Sequence, residues 1–157
     1  MTLQTVPLLV LMPVLALIAW SDLRELRIPN KLTIAALVVF AATAVFVPFD
    51  EIPLRLLAAG ICFAICFAIW CFGIMGGGDV KMLPVLCLFV PIDLWWVAPY
   101  IFSASMLIGV SITWGMQRAR HAEDAEWESV RNSGKFPMGI SIALTGLGVL
   151  VAQLVLI

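Results

Sequence analysis

The chain consists mostly of long apolar runs separated by short polar stretches. The runs fall at residues 4–20, 31–48, 54–74, 80–92, 95–114 and 138–157. A helix that crosses a bilayer needs about 20 apolar residues, because each adds about 1.5 Å against some 30 Å of hydrocarbon. Five runs meet that length within normal tolerance. The fourth, Val80 to Ile92, falls short, begins beside Lys81 and contains Pro84. It predicts either a helix tilted in a locally thinned bilayer or a broken helix lining a cavity. Merging the fourth and fifth runs would leave five spans.

Charge placement separates the two topologies. With six spans and the N-terminus outside, the inside loops carry Arg24, Arg27, Lys31, Lys81, Arg118, Arg120, Arg131 and Lys135, and only Arg55 falls outside. Cytoplasmic loops are the ones that collect Lys and Arg. Five spans would move Arg118, Arg120, Arg131 and Lys135 to the other face. The expectation is therefore an all-α, polytopic membrane protein with six transmembrane helices and both termini outside, residues 1–157 forming one domain. No Lys or Arg precedes the first run, so it reads as a retained membrane helix rather than a secretory leader. Trp20, Trp70 and Trp114 near inside ends, and Trp95 and Trp96 near an outside end, read as an interfacial belt.

Composition agrees: 63% of the residues are hydrophobic and 12% charged, with a mean hydropathy of +1.10. A soluble domain is roughly half apolar and a quarter charged. A net charge of -1 gives no basic footprint for nucleic acid. Cys62, Cys66, Cys71 and Cys87 lie inside apolar runs without a Cys-x-x-Cys pair, and read as packing residues rather than zinc ligands. The single histidine, His121, sits in a charged loop at about 115–137 that reads as a solvated extension of the fifth span. Gly60, Ala58 and Ala59 suggest close helix contacts.

Two aspartates stand out. Ser21-Asp22-Leu23-Arg24-Glu25-Leu26-Arg27-Ile28-Pro29-Asn30 joins the first two runs, and Gly76-Gly77-Gly78-Asp79-Val80-Lys81 joins the third and fourth. Both lie on the inside face in the six-span topology. Two carboxylates at one depth can share a water, one taking its proton and the other donating to a scissile carbonyl. Each also has a plainer reading. Asp22 can be a turn residue paired with Arg24 or Arg27, Asn30 the N-cap of the second helix, and Asp79 the N-cap of the fourth. Lys81 either adds positive charge beside Asp79 or snorkels to lipid phosphate. The three glycines free the backbone for close approach, so an extended substrate strand could pair with them. The stretch lacks the Gly-Lys-Ser/Thr ending of a phosphate loop.

These motifs resemble a known family. Gly76-Gly77-Gly78-Asp79 fits the GxGD signature of membrane aspartic proteases, a group that includes presenilins and the type IV prepilin and preflagellin peptidases. Asp79-Val80-Lys81 continues as prepilin peptidases do, and Ser21-Asp22 with Ile28-Pro29-Asn30 is similar to their first aspartate region. Phe136-Pro137-Met138-Gly139 resembles the Pro-aromatic-Gly element before their last helix, with Met138 in place of the aromatic. The resemblance covers nearly the whole chain in motif order and helix count. The short first loop, without cysteines, looks like the branch that serves Flp-type (Tad) pili and lacks the zinc-binding insert.

The resemblance implies a prepilin leader peptidase of the bacterial inner membrane with a cytoplasmic catalytic face. Asp22 and Asp79 would be catalytic, and Gly76, Gly77, Gly78, Lys81, Pro137 and Gly139 would bind substrate or support the site. It implies no metal or cofactor, and its partners are the bilayer and a membrane-anchored prepilin helix. The sequence holds no recognisable S-adenosylmethionine site for the N-methylation that larger relatives perform. Helix ends suggest the division of labour: Asp22 follows a helix C-terminus and Asp79 begins a helix, so the dipoles favour Asp79 as the ionised base and Asp22 as the acid. The rival readings are a small ion- or proton-coupled transporter using the same aspartates, and a non-catalytic scaffold.

Overall fold

A computed structural model describes residues 5–47, 52–119 and 136–156. Among them lie six α-helices and no strand: α1 (Val6–Glu25), α2 (Asn30–Phe46), α3 (Ile52–Cys71), α4 (Gly77–Phe89), α5 (Ala98–Ala119) and α6 (Met138–Leu156). Four of these, α1, α3, α5 and α6, are long and apolar enough to cross a membrane, and α2 is a shorter apolar helix. The protein is a multi-pass membrane protein. His121, Arg120, Arg131 and Lys135, and the loop that holds them, lie outside the described residues; α5 carries the fifth apolar run on to Ala119.

The fourth and fifth runs form separate helices. α4 stops at Phe89 and is followed by Pro91, a 3₁₀ turn over Ile92–Leu94, and then α5. Proline has no N–H to continue the helical ladder and biases the preceding residue to extended backbone, as seen at Val90 (φ -72, ψ 122). α4 is neither broken nor lipid-facing. It runs unbroken through Pro84, and Val80, Met82, Leu83, Val85, Leu86, Leu88 and Phe89 are all buried. A helix that is apolar on all sides belongs inside a bundle. α4 packs against α2, α3 and α6, with Phe40 of α2 edge-on to Phe89 at 5.4 Å between ring centroids.

α1 buries Leu8, Leu11, Leu15, Ile18 and Asp22, one stripe at alternating spacings of three and four. It lies against α6, running the opposite way. Gly139 of α6 faces Asp22, and Gly146, two turns on, faces Leu15, at positions where a Cβ would collide. Small residues at such crossings let helix backbones approach closely in a membrane. Gly109 of α5 likewise faces Ser141 of α6, and Gly148 faces Ile101. Gly60 has open space beside it, so the close contacts expected there lie on α6 instead; Ala59 is buried.

The far end of α4 is closed by Arg55 of α3. Arg55 is 4% exposed, and its Nη1 donates to the carbonyls of Leu88 at 3.0 Å and Val90 at 2.9 Å. Terminal carbonyls have no partner within their own helix. The one basic residue expected outside is therefore a helix cap.

Candidate active site

Asp22 and Asp79 stand on helices rather than in loops. α1 continues past its apolar run to Glu25, which puts Asp22 in its last turn; Leu26 then turns left-handed (φ 49) and donates its N–H back to the Asp22 carbonyl. The loop is thus shorter than the sequence suggests, and Ser21 Oγ braces it by donating to the Arg27 carbonyl at 3.0 Å. On the other side, Gly73 (φ 73) ends α3 with its N–H on the Trp70 carbonyl. α4 begins at Gly77, so Asp79 is in the first turn and is not the N-cap, a position held by Gly76. Side chains carried on helices are held more tightly than side chains on loops.

The two carboxyl groups meet at a cavity of about 660 Å³, lined by residues 25–30, by Gly76, Gly77, Gly78 and Lys81, and by both aspartates. Asp22 is 5% exposed and Asp79 9%. The turn and α4 are locked together at two points. A Cβ on Gly78 would stand 2.8 Å from Ile28 Cβ and 3.3 Å from the Ile28 N, so only glycine lets the loop sit this close. Lys81 Nζ donates to Asn30 Oδ1 at 3.1 Å. Asn30 therefore does not cap α2, whose N-cap is Pro29 without a side-chain bond. Lys81 is engaged across the site rather than reserved for lipid.

The glycines serve this packing more than they offer an open edge. Gly77 and Gly78 are helical, and only Gly76 is extended (φ -71, ψ 141), with its carbonyl accepting the N–H groups of Asp79 and Val80. The expectation that a substrate strand pairs along this glycine run has little free extended backbone to act on.

The surroundings of the two carboxyls differ. Asp22 Oδ2 accepts the Gly139 N–H at 2.6 Å in a buried bond, while Arg24 and Arg27 are exposed. Asp79 Oδ1 is buried with no partner. Burial and, next, the nearby Asp22 push the Asp79 carboxyl up to about 7, against the pull of the Gly76 and Asp79 amides. Both carboxyls are buried, so what specifically opposes the helix-end expectation of Asp79 as the more ionised partner is its unmet Oδ1. Pro137 is buried just before α6, and neither it nor Gly139 lines the cavity. The Gly139 bond and the Asn30–Lys81 bond were not legible from the sequence, because each joins residues far apart in the chain.

Among the described residues no group of three His, Cys, Asp or Glu side chains could hold a metal ion. Cys62 and Cys66, one turn apart on α3, bring their sulfurs to 4.0 Å, and the cysteines are free.

Searches of curated proteins and of solved structures return no match. The family comparison does, over residues 9–114, a stretch that contains both aspartates and the two connections beside them. The chain belongs to the type IV leader peptidase family.

Proposed function

We propose that the protein is a membrane aspartic endopeptidase that removes the N-terminal leader from Flp-type prepilins at the cytoplasmic face of the inner membrane. Membership of a leader peptidase family makes it a protease. The observation that carries the aspartic mechanism is that two buried carboxyls, from the end of α1 and the start of α4, open on one cavity. Two carboxyls so placed resist double ionisation and share a proton. The ionised partner takes a proton from water as the water oxygen adds to the scissile carbonyl carbon. The protonated partner gives its proton to the carbonyl oxygen. Collapse of the resulting diol breaks the C–N bond: the carboxyl that took the water proton passes it to the leaving amine, and the other, now ionised, takes a proton from the diol.

The six-span topology with both termini outside remains part of this reading. Its support is the alternation of helix directions: the end of α1 meets the start of α6, and the end of α4 meets the start of α3. Arg24, Arg27, Lys31 and Lys81 cluster at the cavity end of the bundle, while Arg55 at the far end is buried and used as a cap. That distribution favours a cytoplasmic cavity. The cavity at one end of the bundle, rather than at its midplane, favours peptide hydrolysis over ion coupling. The prepilin's own membrane helix would dock beside the spans and bring its leader junction to the cavity.

The test is to incubate purified protein in detergent with an Flp-type prepilin and identify the leader peptide by mass. Release of the leader by the wild-type chain, lost in Asp22→Asn and Asp79→Asn, is the expected result. A fully active Asp79→Asn variant would sink the reading.

A further inference from the structure

The last helix enters the site without lining its cavity, and it does so through one backbone amide. Gly139 is the second residue of α6, so its N–H is one of the amides that a helix leaves without an internal partner. It donates to Asp22 Oδ2 at 2.6 Å, and the bond is buried. A Cβ at position 139 would stand 2.7 Å from Asp22 Cβ and 3.0 Å from Oδ2, so glycine is what lets the amide reach the carboxyl. Gly139 lies outside the stretch of the chain that matches the family, residues 9–114.

The bond bears on which carboxyl is the base. Asp22 sits in the last turn of α1, where the helix dipole disfavours negative charge, but at the first turn of α6, where it is favoured. A direct amide bond to an oxygen favours the ionised form and offsets part of the burial that opposes it at both aspartates. Asp79 has one oxygen buried without a donor. The other titratable groups on the cavity are Glu25 and Arg27 on the loop side and Lys81 on α4. Glu25 and Arg27 are exposed, and Lys81 is bonded to Asn30.

We propose that Gly139 is a positioning residue: its N–H fixes Asp22 as the carboxylate that takes the proton from water, leaving Asp79 as the proton donor. This rests on the dyad reading above and reverses the roles that helix ends alone suggest.

The sequence supplies a clean probe. Met-Gly occurs only at Met75-Gly76 and Met138-Gly139. Labelling methionine carbonyls with ¹³C and glycine nitrogens with ¹⁵N therefore marks two amides in the full chain, one beside each aspartate. Met75→Leu removes the Gly76 signal and so assigns the pair. In detergent, the Gly139 amide is expected to titrate at lower pH than the Gly76 amide, and to stop titrating in Asp22→Asn but not in Asp79→Asn. Gly139→Ala, assayed on prepilin, should cut kcat by about 10–100-fold with little change in KM, as expected for a displaced reacting group. Its acid limb should move up by about one pH unit, the order of shift expected when a carboxylate loses a hydrogen bond. A merely structural role would lower yield without moving the pH profile. A Gly139 amide indifferent to Asp22→Asn, or titrating after Gly76, overturns the proposal. If the amides behave as expected but the wild-type chain releases no leader, the peptidase reading falls while the Asp22–Gly139 pairing stands.

Discussion

The two ends of α4 are finished in opposite ways. At its C-terminal end, Arg55 reaches from α3 and donates to the carbonyls of Leu88 and Val90, the second of which also accepts from Trp95 Nε1. At its N-terminal end, Asp79 is buried with one oxygen unmet, facing a cavity that also holds Asp22. One end spends a buried charge on closing the helix, and the other leaves a polar group unsatisfied. Buried polar groups are nearly always bonded, and of the few atoms left unmet among the described residues, Asp79 Oδ1 belongs to the one residue among them that lines the cavity. A short helix enclosed by the bundle suits both tasks, since neither end has to meet lipid.

That contrast can be broken at either end. The largest effect is expected at the cavity. Asp79→Asn should lower leader release by about 10³-fold, in the range for loss of a general acid or base, while the protein folds at least as well. The sign of the stability effect follows from the raised carboxyl. Between its ordinary value and about 7, the folded protein holds a proton that the unfolded chain has lost, so stability falls as pH rises through that window. Asp79→Asn removes this dependence and should raise the melting temperature in detergent most at pH 8 and least near pH 4.

The opposite end should respond the other way round. Arg55→Met leaves the Leu88 and Val90 carbonyls without their charged donor and is expected to cost about 3 kcal/mol, from two bonds to a charged group. Thermal melts should register the loss, while the rate per folded molecule stays near wild type. A melting temperature unchanged by Arg55→Met would break the comparison. Gly78→Ala lies between the extremes. Its methyl must displace Ile28, which shifts the loop against Asp79, and cleavage should fall about 10-fold with misplacement of the reacting group. Asn30→Ala removes one exposed hydrogen bond to Lys81 and should cost only about 1 kcal/mol, seen as a small drop in melting temperature.

Much of this was legible in the chain. Apolar runs gave the helices, because a bilayer demands length and hydropathy and little else. The short fourth run was visible, but its meaning was not: burial by α2, α3 and α6 is a tertiary fact, and Val80 to Phe89 would read the same against lipid. Asp22 and Asp79 were marked by polar residues beside apolar runs, and Asp79 was expected at a helix start, yet Asp22 was expected after the first helix, which in fact runs on through the mostly polar stretch Asp22 to Glu25. Arg55 looked like a lone outside charge until its carbonyl partners were seen. Gly139 was suggested by its motif, but its bond to Asp22 joins residues 117 apart along the chain and leaves no local trace. Gly146 and Gly148, which let α6 pack closely, sit in an apolar run where glycine has no distinct pattern.

The central claim is that Asp22 and Asp79 act as one catalytic unit, and a double-mutant comparison tests it most directly. Leader release is measured for Asp22→Asn, Asp79→Asn and the double variant, each purified in detergent and checked for folding. Groups that share one step are strongly non-additive, so all three are predicted to show the same residual rate. A double variant whose loss equals the product of two partial single losses would contradict a shared dyad.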